Sequence, residues 1–179
     1  MTILGFDPSL QRSGYAYQDA AGQVYTGSIR AGTLRGYARL AYIQTCFAEL
    51  LTKSQAQLVV YETYSYAAPG RLCDLAELGG VLKLLAWQRG IALLLVPPTN
   101  LKQFATGYGR ASKEAIVQAI AERWRYTISQ FDEADAFVLY MMGKSRDNQR
   151  LARRSTARQA LRGCQWLPPA SDNRLQFSQ

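Results

Sequence analysis

The chain opens on a short apolar run, Ile3-Leu4-Gly5-Phe6, that delivers one carboxylate, Asp7, and is stopped by Pro8. Such a run bounded by proline predicts a buried strand with the acid at its exit. Leu58-Val59-Val60-Tyr61-Glu62 repeats the arrangement, again ending in an acid, and Ile91 to Val96 forms a third apolar run closed by Pro97-Pro98. Ser13 to Tyr17 and Gln23 to Gly27 alternate like two half-buried strands about a hairpin turn at Asp19 to Gly22. Helical spacing appears from about Leu34 to Thr52, through Leu40, Ile43, Phe47, Leu50 and Leu51, and from Leu72 to Trp87, through Leu75, Leu78, Leu82 and Leu85. Gly90 closes the second helix. Gly79-Gly80 inside it costs about 1 kcal/mol per glycine relative to alanine, which predicts a close approach of another backbone or a kink.

Leu101 to Ala111 reads as a basic loop punctuated by Gly107 and Gly109, after which Ser112 caps a helix with Ile116, Val117, Ile120 and Trp124 on its apolar side. A last helix runs from about Asp132 to Met142 and stops at Gly143. Three antiparallel strands followed by strand, helix, strand define an α/β fold with parallel pairing in its second half. The pattern divides the chain into a core over residues 1–143 and a basic extension over 144–179. Lys144, Arg146, Arg150, Arg153, Arg154, Arg158 and Arg162 face only Asp147 in the first part of that extension, which reads as a basic helix or a disordered arm. From Gln165 onward the sequence reads as a poorly ordered terminus.

Composition narrows the chemistry. A chain of 179 residues with 48% apolar content fits one domain with a proper core, and a net charge of +8 favours a polyanionic partner, nucleic acid first. No apolar run reaches the roughly 20 residues of a membrane span and no secretory leader opens the chain, so a soluble, cytoplasmic protein is expected. Cys46, Cys73 and Cys164 lack metal or disulfide spacing and read as reduced packing residues. The absence of histidine excludes every mechanism built on an imidazole.

Four acids remain: Asp7 and Glu62 at strand ends, and Asp132 with Asp135 one helical turn apart on one face. Glu133, one residue off that face, reads as exposed. Strand-end carboxylates on neighbouring strands repel one another unless a hard divalent cation, Mg2+ or Mn2+, lies between them. Two such ions roughly 3.5–4 Å apart stabilise both the attacking water and the leaving oxygen of a phosphodiester cleavage. Singly, each acid also reads as a turn or helix-cap residue; together in apolar surroundings they read as a site.

Ile3-Leu4-Gly5-Phe6-Asp7-Pro8-Ser9 with Ser13-Gly14-Tyr15, then Val59-Val60-Tyr61-Glu62, then Asp132-Glu133-Ala134-Asp135-Ala136 resembles the RuvC family of Holliday-junction resolvases, in the RNase H-like superfamily. The segment from Leu101-Lys102-Gln103 to Ala111-Ser112-Lys113 is similar to that family's basic element before its penultimate helix. The resemblance covers about residues 3 to 143. It implies a mixed five-stranded sheet flanked by helices, a homodimer, and Mg2+-dependent paired nicks on opposing strands of a four-way DNA junction, leaving 5′-phosphates. It implies that Asp7, Glu62, Asp132 and Asp135 hold two ions, with Mn2+ able to substitute. Lys102 and Lys113 match basic positions near the scissile phosphate, and Arg110 joins them as a backbone contact. Tyr64 and Tyr66 stand where the family carries an aromatic wedge. The arginine-rich tail departs from the usual bacterial core and suits a phage-encoded member, acting in a bacterial cell or infected host. The rival readings are a nuclease for flaps, forks or RNA–DNA hybrids, and a non-catalytic basic DNA-binding module whose acids are caps.

Overall fold

A computed structural model of the chain describes residues 1–64, 72–147 and 155–170. Strand β1 (Ile3–Asp7) pairs antiparallel with β2 (Arg12–Gln18), which pairs with β3 (Val24–Arg30). On its other side β1 runs parallel to β4 (Leu58–Glu62), and β4 to β5 (Ala92–Val96). Helices α1 (Gly36–Ser54) and α2 (Leu72–Gln88) follow β3 and β4. Then come α3 (Pro98–Thr106), α4 (Lys113–Trp124), α5 (Phe131–Asp147), α6 (Ser155–Arg162) and β6 (Gln165–Leu167). The sheet order is β3-β2-β1-β4-β5-β6.

Two cores sit on the two faces of this sheet, as the two-residue period of a strand requires. Leu4, Phe6, Val59, Tyr61, Leu93 and Leu95 face α1 and α2, where Ile43, Phe47, Leu78 and Leu82 meet them. Ile3, Val60 and Leu94 face the other way, into a core completed by Leu101, Phe104, Ile116, Phe137, Leu139 and Met142. Asp7 is in phase with Ile3, and Glu62 with Val60. Both acids therefore end their strands on the face that α5 covers.

Glycines set how closely α5 lies on that face. A Cβ at Gly5 would collide with Ala136 O and Tyr140 N, and one at Gly14 with the Asp132 carbonyl. Gly143 packs the same contact from the helix side, where a Cβ would come within 2.7 Å of Ile3 and 2.8 Å of Val60. It is a crossing point, and α5 continues past it to Asp147, which corrects the expected stop at Gly143.

Three other expectations change. The sheet has six strands among the described residues, because Gln165–Leu167, expected in a poorly ordered end, pairs antiparallel with β5 at Leu93, Leu94 and Leu95. The segment expected as a basic loop begins as α3, since Pro98 fills the first turn, where a missing N–H costs nothing, and Gly107 (φ 93°) closes it. Within the basic tail, α6 buries Ala157 and Ala160 against the core of α3 and α4, and Asn100 Nδ2 donates to Ala160 O at 2.8 Å. Arg146 stacks 3.7 Å over the Trp166 ring, joining α5 to β6. No helix among the described residues is long and apolar enough to cross a membrane.

Candidate metal centre

The exits of β1 and β4 bring Asp7 and Glu62 together because the two strands are parallel neighbours in register, Phe6 beside Tyr61. The close seating of α5 adds Asp135. One carboxylate oxygen from each of Asp7, Glu62 and Asp135 lies within 4.8 Å of the others, the only such group of metal-ligating side chains among the described residues. Burial pushes the Asp7 carboxyl up to about 7, and repulsion from Asp135 and Asp132 adds to it, while a hydrogen bond from Glu62 and the nearby Lys113 ammonium act the other way. Burial likewise holds Glu62 well above its ordinary range, reinforced by Asp7. Asp135 is pushed up to about 6, again by burial first, with Lys113 and Lys102 opposing the rise.

These perturbations state the electrostatic problem of the site. Three partly withdrawn carboxylates cannot all ionise side by side without a compensating cation. The lysines supply part of that charge: Lys113 from the first turn of α4, which the Ser112 hydroxyl caps by accepting from Ala115 N at 3.2 Å, and Lys102 from α3. An all-oxygen, all-anionic donor set with no histidine or thiolate fits Mg2+ or Mn2+.

The fourth acid is placed differently. Asp132, one turn before Asp135, forms an ion pair with Arg12 Nε at 3.2 Å, and Arg12 Nε also donates to the Ser28 hydroxyl at 3.1 Å. Asp132 still acts electrostatically on Asp7 and Asp135 but lies outside the close group. Arg12 escaped the sequence reading, although its two-residue phase with Gly14 aims it at α5. Glu133, expected to be exposed, is half-buried and accepts from the Thr26 hydroxyl at 3.2 Å. Arg110 is exposed, beyond α3. Tyr64 follows Glu62 by two residues and lines a cavity with Tyr61 and Lys83. Tyr66 lies outside the described residues.

The α/β sheet with strand-exit acids and a seated acidic helix defines the class: a protein with the RNase H-like fold of the resolvases. Two solved structures share it. One, titled Thermus thermophilus RuvC, superposes with a TM-score of 0.63 at 18% identity, covering 82% of this chain and 96% of that one. The other, T. thermophilus RuvC in complex with Holliday junction substrate, gives 0.65 at 18% identity, covering 78% and 90%. The family model for crossover junction endodeoxyribonuclease RuvC matches residues 3–141. The chain belongs to the RuvC family. Relatives named crossover junction endodeoxyribonuclease RuvC include one from Gloeobacter violaceus, 31% identical over 151 residues, covering 80% of this chain and 87% of the relative. One from Synechococcus is 28% identical over 150 residues, covering 80% and 97%.

Proposed function

We propose that the protein is an endonuclease that resolves four-way DNA junctions by paired, Mg2+-dependent phosphodiester hydrolysis. The observation that carries this reading is the convergence of Asp7, Glu62 and Asp135 within 4.8 Å on a chain matched by the RuvC family model over residues 3–141. Asp7, Glu62 and Asp135 would hold the two divalent cations, and Asp132 would join them when it leaves Arg12. Bound divalent cations would supply activation of a water nucleophile and stabilisation of the departing oxygen. Mn2+, with the same taste for oxygen ligands, would substitute for Mg2+.

The chain's own side chains perform the rest. Lys113 and Lys102 stand next to the carboxylates and would hold the phosphate on either side of the cut, contacts that fix position without reading sequence. Arg110, which is exposed, would take a phosphate further out, and either Tyr64 or Tyr66 would supply the aromatic at the junction centre. Residues 1–143 would form the nuclease unit, with 144–179 an attached basic extension. Two copies related by a twofold axis would match the junction's own symmetry and place the two cuts on opposing strands. The enzyme would work in the cytoplasm of a bacterial cell.

Comparing cleavage of a four-way junction, a flap, a fork and an RNA–DNA hybrid tests the substrate. The junction is expected to be cut fastest, with symmetric nicks. Preferential cutting of hybrid or flap overturns the junction reading while leaving the nuclease standing, and no cutting at all with tight DNA binding returns the protein to a binding module.

A further inference from the structure

Arg12 stands where the sheet gains nothing from a guanidinium. In the β2–β3 ladder it lies directly opposite Arg30, and like charges so placed destabilise a strand pair. Its Nε is divided between two acceptors, the Asp132 carboxylate at 3.2 Å and the Ser28 hydroxyl at 3.1 Å. Its Nη2 is buried and has no acceptor among the described residues, although a guanidinium can clasp a carboxylate with two parallel bonds. A buried donor left unpaired costs stability as well. Nor does α5 need this partner, since Asp132 and Glu133 already lie in its first turn, where the helix dipole favours negative charge.

What Arg12 does decide is where the Asp132 carboxylate lies. Asp132 sits one turn before Asp135 on the same helix face and acts electrostatically on Asp7 and Asp135, yet it is outside their close group. The helix backbone cannot carry it inward. The Asp132 carbonyl rests against Gly14, on the same strand as Arg12, so that the main chain is fixed at this point. Rotation of the Asp132 side chain is the remaining route between the guanidinium and the three acids.

We propose that Arg12 is a positioning residue that withholds Asp132 from the metal centre, so that the metal-free centre presents three carboxylates and the fourth is released to it as divalent cations bind. Ser28 then keeps Arg12 in place. This control of the fourth carboxylate rests on the metal-centre reading and names how that site is regulated. Arg12 and the cations compete for one side chain, so a weaker Arg12–Asp132 pair means tighter cation binding. The two side chains stay 29% and 25% exposed, and a pair placed in that way is worth a factor of about two to five in an equilibrium, which keeps the hold reversible.

Mn2+ uptake by DNA-free protein, followed by the loss of the free-ion electron paramagnetic resonance signal, reads this competition without any cleavage. Arg12→Gln is expected to bind Mn2+ about three- to fivefold more tightly than the wild type. Arg12→Lys, which keeps a cation beside Asp132, is expected to stay close to the wild type. In an Asp132→Asn background the gain from Arg12→Gln is expected to vanish, which separates release of this carboxylate from a general loss of positive charge. Ser28→Ala gives Arg12 Nε wholly to Asp132 and is expected to weaken Mn2+ binding without lowering the melting temperature; it serves as the readout if Arg12→Gln does not fold. Wild-type affinity in Arg12→Gln, an equal gain in the Asp132→Asn background, or an affinity of Ser28→Ala at or above the wild type overturns the proposal. A wild type that takes up no Mn2+ defeats the metal-centre reading itself, whereas affinities indifferent to Arg12 defeat only its positioning role.

Discussion

At Asp7 the fold holds a carboxyl whose pKa has moved from an ordinary 3.8 to about 7, with Asp135 at about 6 beside it. Unfolded, both lose their protons near pH 4; folded, they keep them two to three units longer, so over that interval the native state binds more protons. Their contribution to stability is fully present below about pH 4 and is lost as pH rises through about 7. No histidine titrates in this window to obscure the effect. The melting temperature of metal-free protein, measured in chelator, is therefore expected to fall between pH 5 and pH 8, and Mg2+ at pH 8 to recover it. Asp7→Asn should flatten the slope. A melting temperature that is level or rises over this range contradicts the burial and mutual repulsion described at the site. Asp7 and Glu62 were legible in the sequence because each ends an apolar strand, and Asp135 because it lies in a helix whose phase can be counted. Arg12 was not, since it sits in a short turn-to-strand segment, and its pull on Asp132 depends on how α5 is seated.

Among the elements, α5 carries the site, and its position depends on glycines that let backbone touch backbone. Gly14→Val would drive a branched side chain into the Asp132 carbonyl, and overpacking of this kind costs about 1–3 kcal/mol or more. Urea denaturation is expected to show that loss, together with a cleavage defect larger than the loss of folded protein accounts for, because Asp135 moves with the helix. Wild-type stability in this variant contradicts the close seating. The strands and most helices follow from hydrophobic period, whereas α3 was read as a loop because Pro97-Pro98 looks like a stop and two glycines follow. In α6 the arginines outweigh the small buried stripe of Ala157 and Ala160, so composition concealed an amphipathic helix. The three-residue β6 is too short to show a period at all, and only the free edge of β5 makes it a strand.

For the whole molecule, a charge of +8 sets how DNA is held, and the extension carries both charge and structure. Truncation after Asp147 removes α6 with Arg158 and Arg162, and leaves β5 as an open sheet edge. The truncated protein is expected to melt at a lower temperature and to bind junctions with a shallower dependence on salt, the slope falling by about 0.9 for each phosphate that the extension no longer neutralises. An unchanged slope in plots of log affinity against log salt assigns the extension to stability alone. The fold class and the acid-bearing strand ends were visible from residue order; the sixth strand arises from packing between segments far apart in sequence, which no local pattern records.

On the proposed function, Asp7, Glu62 and Asp135 gather divalent cations to cut a four-way junction at symmetric points. That role is tested most directly by mapping nicks on every strand of a synthetic immobile junction, with and without Mg2+, for the wild type and Asp7→Asn. Paired, symmetry-related nicks that need Mg2+ and vanish in Asp7→Asn while junction binding persists are expected. Undiminished cleavage by Asp7→Asn, or nicks that appear equally without a divalent cation, would contradict it.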